Sequence, residues 1–476
     1  MIYRPVTAVW EITVKCNMHC KHCGSSCIDE AAPDELTTDQ ALRLAEEMGG
    51  LGTRYVTLSG GEPLLRTDWP LLAKALKQNG VTPNMISNGW YFTEETVREA
   101  RDAGLSNIAI SLDGLKEQHD FLRRRGSFDR VMAAFNLMRA EELAASAITT
   151  IHKGNLAELP ALYRLLEEQG IASWQLQIGS PMGNLAEHRY LILDPAQIKT
   201  IVDFAHDKLK GGKVAIHLAD CIGYYSHKDS ALRAVYAQCD PIGAAWQGCH
   251  AGIASYGVRA NGDVVGCTSL RDDSFIEGNI RDSGLAAIWN APQSFSWNRY
   301  FDADQLSGFC GRCQYGALCR AGCSVTKLTT LGHLRETHYC LFREEMQTVD
   351  RSTPFLSASE TVALAREYLD AEEYQAAEVV LYKGLERSPQ AAVLWELIGY
   401  CYFQMHKYGH CREANEKAIQ LRPERAGAYN GLGLTLWKLG FEDEARQRLQ
   451  QACDREPDNE DFRHDLEVFD LEHVCH

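Results

Sequence analysis

Cys16, Cys20 and Cys23 stand in the spacing C-x3-C-x2-C, and Gly60-Gly61-Glu62-Pro63 follows further along. Three thiolates leave one iron of a four-iron cluster without a protein ligand, because four thiolates fill its four positions. That iron must take its ligand from outside the chain, and an open metal position marks a reactive centre rather than a structural one. Paired glycines allow a ligand close to the backbone, Pro63 fixes the turn, and Glu62 offers a carboxylate to an ammonium group. The chemistry indicated is one-electron transfer beside a small ligand. The plain alternative is a zinc knuckle followed by an ordinary glycine turn. Zinc sites take their ligands as two close pairs, which this run does not supply.

Such residues need a scaffold. Val9–Val14 reads as a buried strand running into Cys16, and strand-like runs recur at Tyr55–Ser59, Thr82–Ser87, Asn107–Leu112, Ala147–Ile151 and Trp174–Ile178. Between them lie amphipathic stretches at Thr38–Met48, Trp69–Gln78, Glu94–Ala103, Phe128–Glu141 and Leu156–Gln169. This alternation predicts parallel β/α units, six of them, and an α/β partial (β/α)6 barrel open on one side. The loops after the strands, where such barrels carry their chemistry, hold the three cysteines, Gly60–Pro63, Ser87-Asn88-Gly89 and Ser111-Leu112-Asp113-Gly114. His119-Asp120-Phe121-Leu122-Arg123 comes next.

On these segments the chain resembles the radical S-adenosylmethionine (radical SAM) enzymes. The resemblance implies that Cys16, Cys20 and Cys23 hold a [4Fe–4S] cluster whose open iron is chelated by the amine and carboxylate of SAM. It places Gly60, Gly61, Glu62 and Pro63 at the amine, and Ser87, Asn88, Ser111 and Arg123 in contact with SAM. It implies reductive cleavage of SAM to methionine and a 5′-deoxyadenosyl radical, which removes hydrogen from an unactivated substrate carbon.

The chain has 17 cysteines. The first residues carry no apolar signal region, and no apolar run approaches the length of a membrane span. A cytoplasmic location follows as the expectation, with no membrane partner, and cysteine richness there points to metal rather than disulfides. Cys249, Gly262 and Cys267 are followed by Cys310-x2-Cys313-x5-Cys319-x3-Cys323 and by Cys340. This pattern resembles the SPASM domain, an extension that carries auxiliary [4Fe–4S] clusters. The correspondence implies one cluster on Cys310, Cys313, Cys319 and Cys340, and another on Cys249, Cys267 and Cys323. If the latter is closed it needs one more ligand, with Cys239 the first candidate and Cys221 the second. Eleven cysteines in three clusters is the resulting expectation, against a pair of zinc sites as the alternative. Cys27, Cys401, Cys411, Cys453 and Cys475 receive no role.

Pro389, Pro423 and Pro457 recur at an interval of 34 residues, the tetratricopeptide period. Units at 358–391, 392–425 and 426–459 follow, with a capping helix in the tail. The expected organisation is a barrel over 1–215, a bridge and SPASM region over 216–352, and an all-α repeat array over 355–476. Stacks of this kind form curved surfaces that bind proteins or peptides, or else serve assembly. A net charge of −16 counts against a phosphate-binding surface and hence against a nucleic-acid substrate.

SPASM enzymes mostly modify peptides and proteins. The layout looks most like the maturases that build Cys-to-carbon thioether crosslinks in the small subunit of quinohemoprotein amine dehydrogenase. The expected partners are a peptide or small protein substrate and an electron donor such as a flavodoxin or ferredoxin. Carbon–carbon crosslinking, epimerisation, decarboxylation and formylglycine formation in a sulfatase are the enzymatic alternatives. Thr268 after Cys267, where sulfatase maturases carry an aspartate, counts against the last. A non-catalytic iron–sulfur scaffold is the remaining alternative, and retention of Glu62 with all three cysteines counts against it.

Overall fold

The computed structural model describes residues 3–25, 27–235 and 246–474. Seven parallel strands run in chain order across one sheet: β1 (Thr7–Thr13), β2 (Tyr55–Gly60), β3 (Thr82–Ser87), β4 (Ile108–Ser111), β5 (Ala145–Ile151), β6 (Ser173–Ile178) and β7 (Ala215–Leu218). Helices α1 (Thr38–Gly50), α2 (Trp69–Gln78), α3 (Glu94–Ala103), α4 (Lys116–Leu122), α5 (Ser127–Ala140) and α6 (Leu159–Glu168) connect them. The six expected strands are present, and the described core has the radical SAM (β/α) arrangement. Its helices start where local chemistry dictates. A capping box between Thr37 and Gln40 opens α1, and the Thr93 side chain accepts from Thr96 N at the start of α3.

Strand alternation divides the side chains. Trp10, Ile12, Val56, Leu58, Met85, Ile108, Ile110, Trp174 and Leu176 turn outward into the helix layer and are buried. Each contributes about 1.5–3 kcal/mol by leaving water. The opposite faces are polar. Thr57, Asn84, Asn107, Ser146, Ser173, Gln175 and His217 line a cavity of about 290 Å³ inside the curve of the sheet, alongside Ile86, Ala109, Ala147 and Ile148. Closed (β/α)8 barrels fill this space with branched apolar side chains; here polar side chains line it.

Three further strands extend the sheet beyond β1. Strand β8 (Ser255–Val258) pairs parallel with β1, and β9 (Asp263–Val265) and β10 (Ile276–Asn279) continue antiparallel. Tyr256, Val258, Val264, Leu285, Ile288 and Trp289 share one hydrophobic core with the barrel. The chain divides into two compact units, one of residues 1–306 with 318–341, the other of 307–317 with 342–476.

The second unit is an array of paired helices: Ala358–Asp370 with Tyr374–Arg387, Ala392–Gln404 with Tyr408–Leu421, and Ala426–Lys438 with Glu442–Arg455, then Glu460–Val474. These are the three repeats and the terminal helix expected from the proline period. Small residues let the helices approach: Ala377, Cys401, Cys411, Ala414 and Ala418 are buried at their contacts. Segment 307–317 packs on this array. Arg312 pairs with the buried Glu378 at 2.7 Å, and Gln314 N donates to Gln375 Oε1 at 3.0 Å.

Candidate active site

The segments after β1, β2, β3 and β4, with the end of α4, bring the site together at the carboxyl ends of those strands. Cys16, Cys20 and Cys23 lie on the loop after β1, packed with Met18, Cys27 and Trp90. The loop is tied down at both ends and in the middle. Cys16 N donates to Ile28 O, Lys21 N to Leu122 O, and Asn184 N to Cys23 O. Burial pushes the Cys20 thiol up to about 12, with Arg123 opposing and Cys23 and Cys16 adding repulsion. Burial likewise raises Cys16, which feels Glu62, Cys23 and Arg123. Cys16, Cys20 and Cys23 are thus within electrostatic reach of one another beside the Arg123 guanidinium. Buried thiols such as Cys16 and Cys20 give up their protons when a metal takes their place, which suits an iron–sulfur centre. Among the described residues no three His, Cys, Asp or Glu side chains close on a single metal ion.

The Gly60–Pro63 turn follows β2. Gly60 has φ +128°, and a Cβ there would stand 2.1 Å from Thr13 O; one on Gly61 would stand 2.1 Å from Lys15 O. The glycines thus answer first to the close passage of the β1 backbone, rather than to space for a ligand. Glu62 is fully buried. It accepts from Ser87 Oγ at 2.8 Å, Asn88 N at 2.8 Å and Leu64 N at 3.3 Å. Burial drives its carboxyl up to about 7 against these bonds. Every one of those donors is neutral, so a ligand ammonium is the complement this carboxylate lacks, and the residues fit SAM. Ser87 and Asn88 are joined to Glu62 as one network, and Ser111 stands buried at the end of β4.

Arg123 closes the site from the end of α4. Its Nε donates to Asp113 Oδ2, and Nη1 lies 3.9 Å from Cys20 Sγ. Asp113, His22 and Cys27 belong to the site but drew no assignment from the sequence. Cys27 Sγ donates to Gly60 O at 3.7 Å and shares a hydrogen bond with the Cys23 thiol. Glu11, inward-facing on β1, pairs with Arg271, which also reaches Ser25. Arg271 lies four residues beyond Cys267, so the auxiliary region contributes to the same pocket.

The second cysteine set is partly assembled in the first unit. Burial raises Cys323, followed by repulsion from Cys249, Cys221 and Cys267. Cys267 and Cys221 are each pushed up to about 11 by burial. Cys323 is within electrostatic reach of Cys249, Cys221 and Cys267, and Cys267 of Cys249. Cys239 lies outside the described residues. The backbone around the set is strained: Tyr224, Tyr225, Arg320 and Ala321 all have positive φ. Tyr224 Oη accepts from Cys323 N at 3.0 Å and holds the backbone there, at the start of helix Ser324–Leu331. Cys310 and Cys313 belong to the second unit, whereas Cys319 and Cys340 belong to the first.

Residues 10–166 match the radical SAM superfamily, residues 249–314 the SPASM iron-sulfur cluster-binding domain, and residues 426–459 a tetratricopeptide repeat. An AdoMet-dependent heme synthase of Methanosarcina barkeri (strain Fusaro / DSM 804) is 30% identical over 351 residues, covering 72% of this chain and 98% of its own. The chain belongs to the radical SAM superfamily. The mycofactocin maturase MftC of Mycolicibacterium smegmatis shares 29% identity over 334 residues, 68% of this radical SAM chain and 80% of its own. Streptococcus suis SuiB bound to its precursor peptide SuiA has the same fold, with a TM-score of 0.57 at 16% identity over 71% of this chain and 76% of that one.

A radical SAM enzyme with a SPASM region binds iron–sulfur and SAM. When bound, these supply hydrogen abstraction from a substrate carbon by a 5′-deoxyadenosyl radical. The chain's own residues orient and enclose. Glu62 is held by Ser87 and Asn88, where it would face a ligand ammonium, and Arg123 Nη1 lies 3.9 Å from the Cys20 sulfur. No helix among the described residues is long and apolar enough to cross a membrane.

Proposed function

We propose that the substrate is a polypeptide and that the product is an intrapeptide thioether between a cysteine sulfur and a carbon, of the kind made in the small subunit of quinohemoprotein amine dehydrogenase. The observation that carries the polypeptide reading is the helical repeat array that follows the radical SAM and SPASM regions, since stacks of this kind bind proteins or peptides. The fold shared with SuiB bound to the precursor peptide SuiA supports the same reading. Joining S to C breaks one S–H and one C–H bond. The hydrogen leaves on 5′-deoxyadenosine, and one proton and one electron remain for solvent and a one-electron acceptor.

The Cys221, Cys249, Cys267 and Cys323 group is the candidate acceptor site, and Cys310, Cys313, Cys319 and Cys340 the candidate third cluster. Gly60, Gly61, Glu62, Pro63, Ser87, Asn88, Ser111 and Arg123 are the proposed SAM contacts. A flavodoxin or ferredoxin is the proposed donor, the helical repeats the proposed docking surface, and the cytoplasm the proposed location.

A second reading is favoured by the names of the relatives, which include heme synthases, an Fe-coproporphyrin III synthase and a pre-heme d1 synthase. On it the substrate is a heme precursor. One experiment separates the two. The reduced, cluster-loaded protein is incubated with SAM and either a short cysteine-containing polypeptide encoded beside its gene or an iron coproporphyrin. Loss of two hydrogens and one free thiol per crosslink supports the thioether. A mass change confined to the porphyrin overturns it in favour of the second reading.

A further inference from the structure

Asp113 sits just past β4 with no exposed surface, and every polar atom it has is engaged. Its Oδ1 accepts from Thr150 N at 2.7 Å, and its Oδ2 accepts from His22 Nε2 at 2.9 Å and from Arg123 Nε. Its own N–H donates to His119 Nδ1 at 3.1 Å, and its carbonyl accepts from Asn155 Nδ2 at 3.0 Å. Burial alone would neutralise the carboxyl, yet Arg123 and His22 hold it well below the usual carboxylate range.

His22 lies inside the cysteine loop, between Cys20 and Cys23, and Arg123 reaches Cys20 with its other nitrogen. One carboxylate, anchored to β5 through Thr150, therefore grips both the loop and the cation that faces the loop. We propose that Asp113 is a positioning residue for the radical SAM centre: it locks His22 and Arg123 in place, and by compensating the guanidinium charge it keeps the reduction potential of that centre low.

The electrostatics give the sign. A cation 3.9 Å from a ligand sulfur favours the more negative, reduced state of whatever that sulfur holds, in a medium where charges act strongly. A carboxylate hydrogen-bonded to the same cation cancels most of that field. Asp113→Asn keeps the shape and the Thr150 bond. It also turns an amide N–H toward the Arg123 N–H, so the guanidinium is both released and uncompensated.

The test is the midpoint potential of the SAM-responsive EPR signal in the reconstituted holoenzyme, with iron per chain measured alongside. D113N should shift the potential positive, with near-normal iron and SAM cleavage about tenfold slower. R123M should shift it negative, and the double variant should return toward the wild-type value. Equal potentials in wild type and both single variants, or shifts of the same sign, overturn the proposal. If D113N alone fails to assemble, R123M is compared with the double variant: a more positive potential in the double variant supports compensation by the carboxylate, and equal potentials overturn it.

Discussion

At Glu62 two demands oppose each other. A carboxylate with no exposed surface and only neutral donors is a cost to the free chain, and its carboxyl moves up to about 7 as a result. The same carboxylate gains a full charge pair when an ammonium arrives. Glu62→Gln should therefore leave the unliganded chain at least as stable by thermal melting. It should weaken SAM binding by about 2 kcal/mol, roughly thirtyfold, in calorimetric titration. Unchanged affinity would remove Glu62 from the ammonium site. A second residue-scale expectation concerns the auxiliary set. Cys221 stands with Cys249, Cys267 and Cys323, so Cys221→Ala should cost about four irons per chain while the SAM-responsive signal persists. Loss of iron in Cys239→Ala with none in Cys221→Ala would return the fourth position to Cys239. The spacing left these two cysteines open because ligand completion depends on where a distant loop folds, which no local pattern encodes. Asp113 was hidden for the same reason: its partners His22, Arg123 and Thr150 are spread over well over a hundred positions. The three cysteines and Glu62 were legible because short-range spacing carries their chemistry.

At the scale of elements, the six strands of the barrel core were readable because each pairs an apolar face with a regular connecting helix. Strand β7 has four residues, and β8 to β10 have three or four. Their pairing is set by contacts such as Thr7 with Ser255, so they leave little periodicity to find. The turn after β2 shows how an element can constrain a site. Gly61→Ala would drive a Cβ to 2.1 Å from Lys15 O, backbone that cannot yield without moving the cysteine loop. We expect a loss of about 1–3 kcal/mol or more in denaturant unfolding, together with incomplete cluster loading. Full stability and iron content would mean that β1 and β2 separate freely there. A neighbouring anchor carries a pH signature. Arg66 Nη1 donates to Ile12 O near the end of β1 and its Nε to Asp68 Oδ1. Although burial acts to raise it, the Asp68 carboxyl is held below its ordinary value by Arg66 and Thr38. A depressed carboxylate stabilises the fold above its unfolded pKa, and that stability is lost as pH falls through the folded value. Asp68→Asn should flatten the acid limb of the stability profile. An acid limb as steep as in wild type would show that Asp68 contributes nothing there.

For the whole chain, the repeats do more than offer a surface for a partner. Glu378, buried in the first repeat, accepts from Arg312, from Gln375 and from Tyr402 of the second repeat. Arg312 stands between Cys310 and Cys313, the segment that Gln375 also holds through Gln314 N. The array thus supports two of the proposed cluster ligands, within a single compact unit. A chain ending near Pro354 lacks Gln375, Glu378 and Tyr402. The first unit keeps its own continuous core, so its barrel should still fold, hold iron at Cys16, Cys20 and Cys23, and cleave SAM slowly. Iron held through Cys310 and Cys313 should be lost, about four atoms per chain. Glu378→Ala tests the same link without truncation. Its cost in stability should be about 1–3 kcal/mol, because Gln375 Nε2 loses its acceptor in a buried place and Tyr402 keeps only Tyr382, while Arg312 turns to solvent. Iron analysis then separates two roles for the repeats. If E378A loses iron and the truncated chain loses both iron and polypeptide modification, the array is part of the cluster housing. If both keep full iron and only polypeptide modification falls, the array acts by docking its substrate, whose effective concentration at the barrel mouth it would raise.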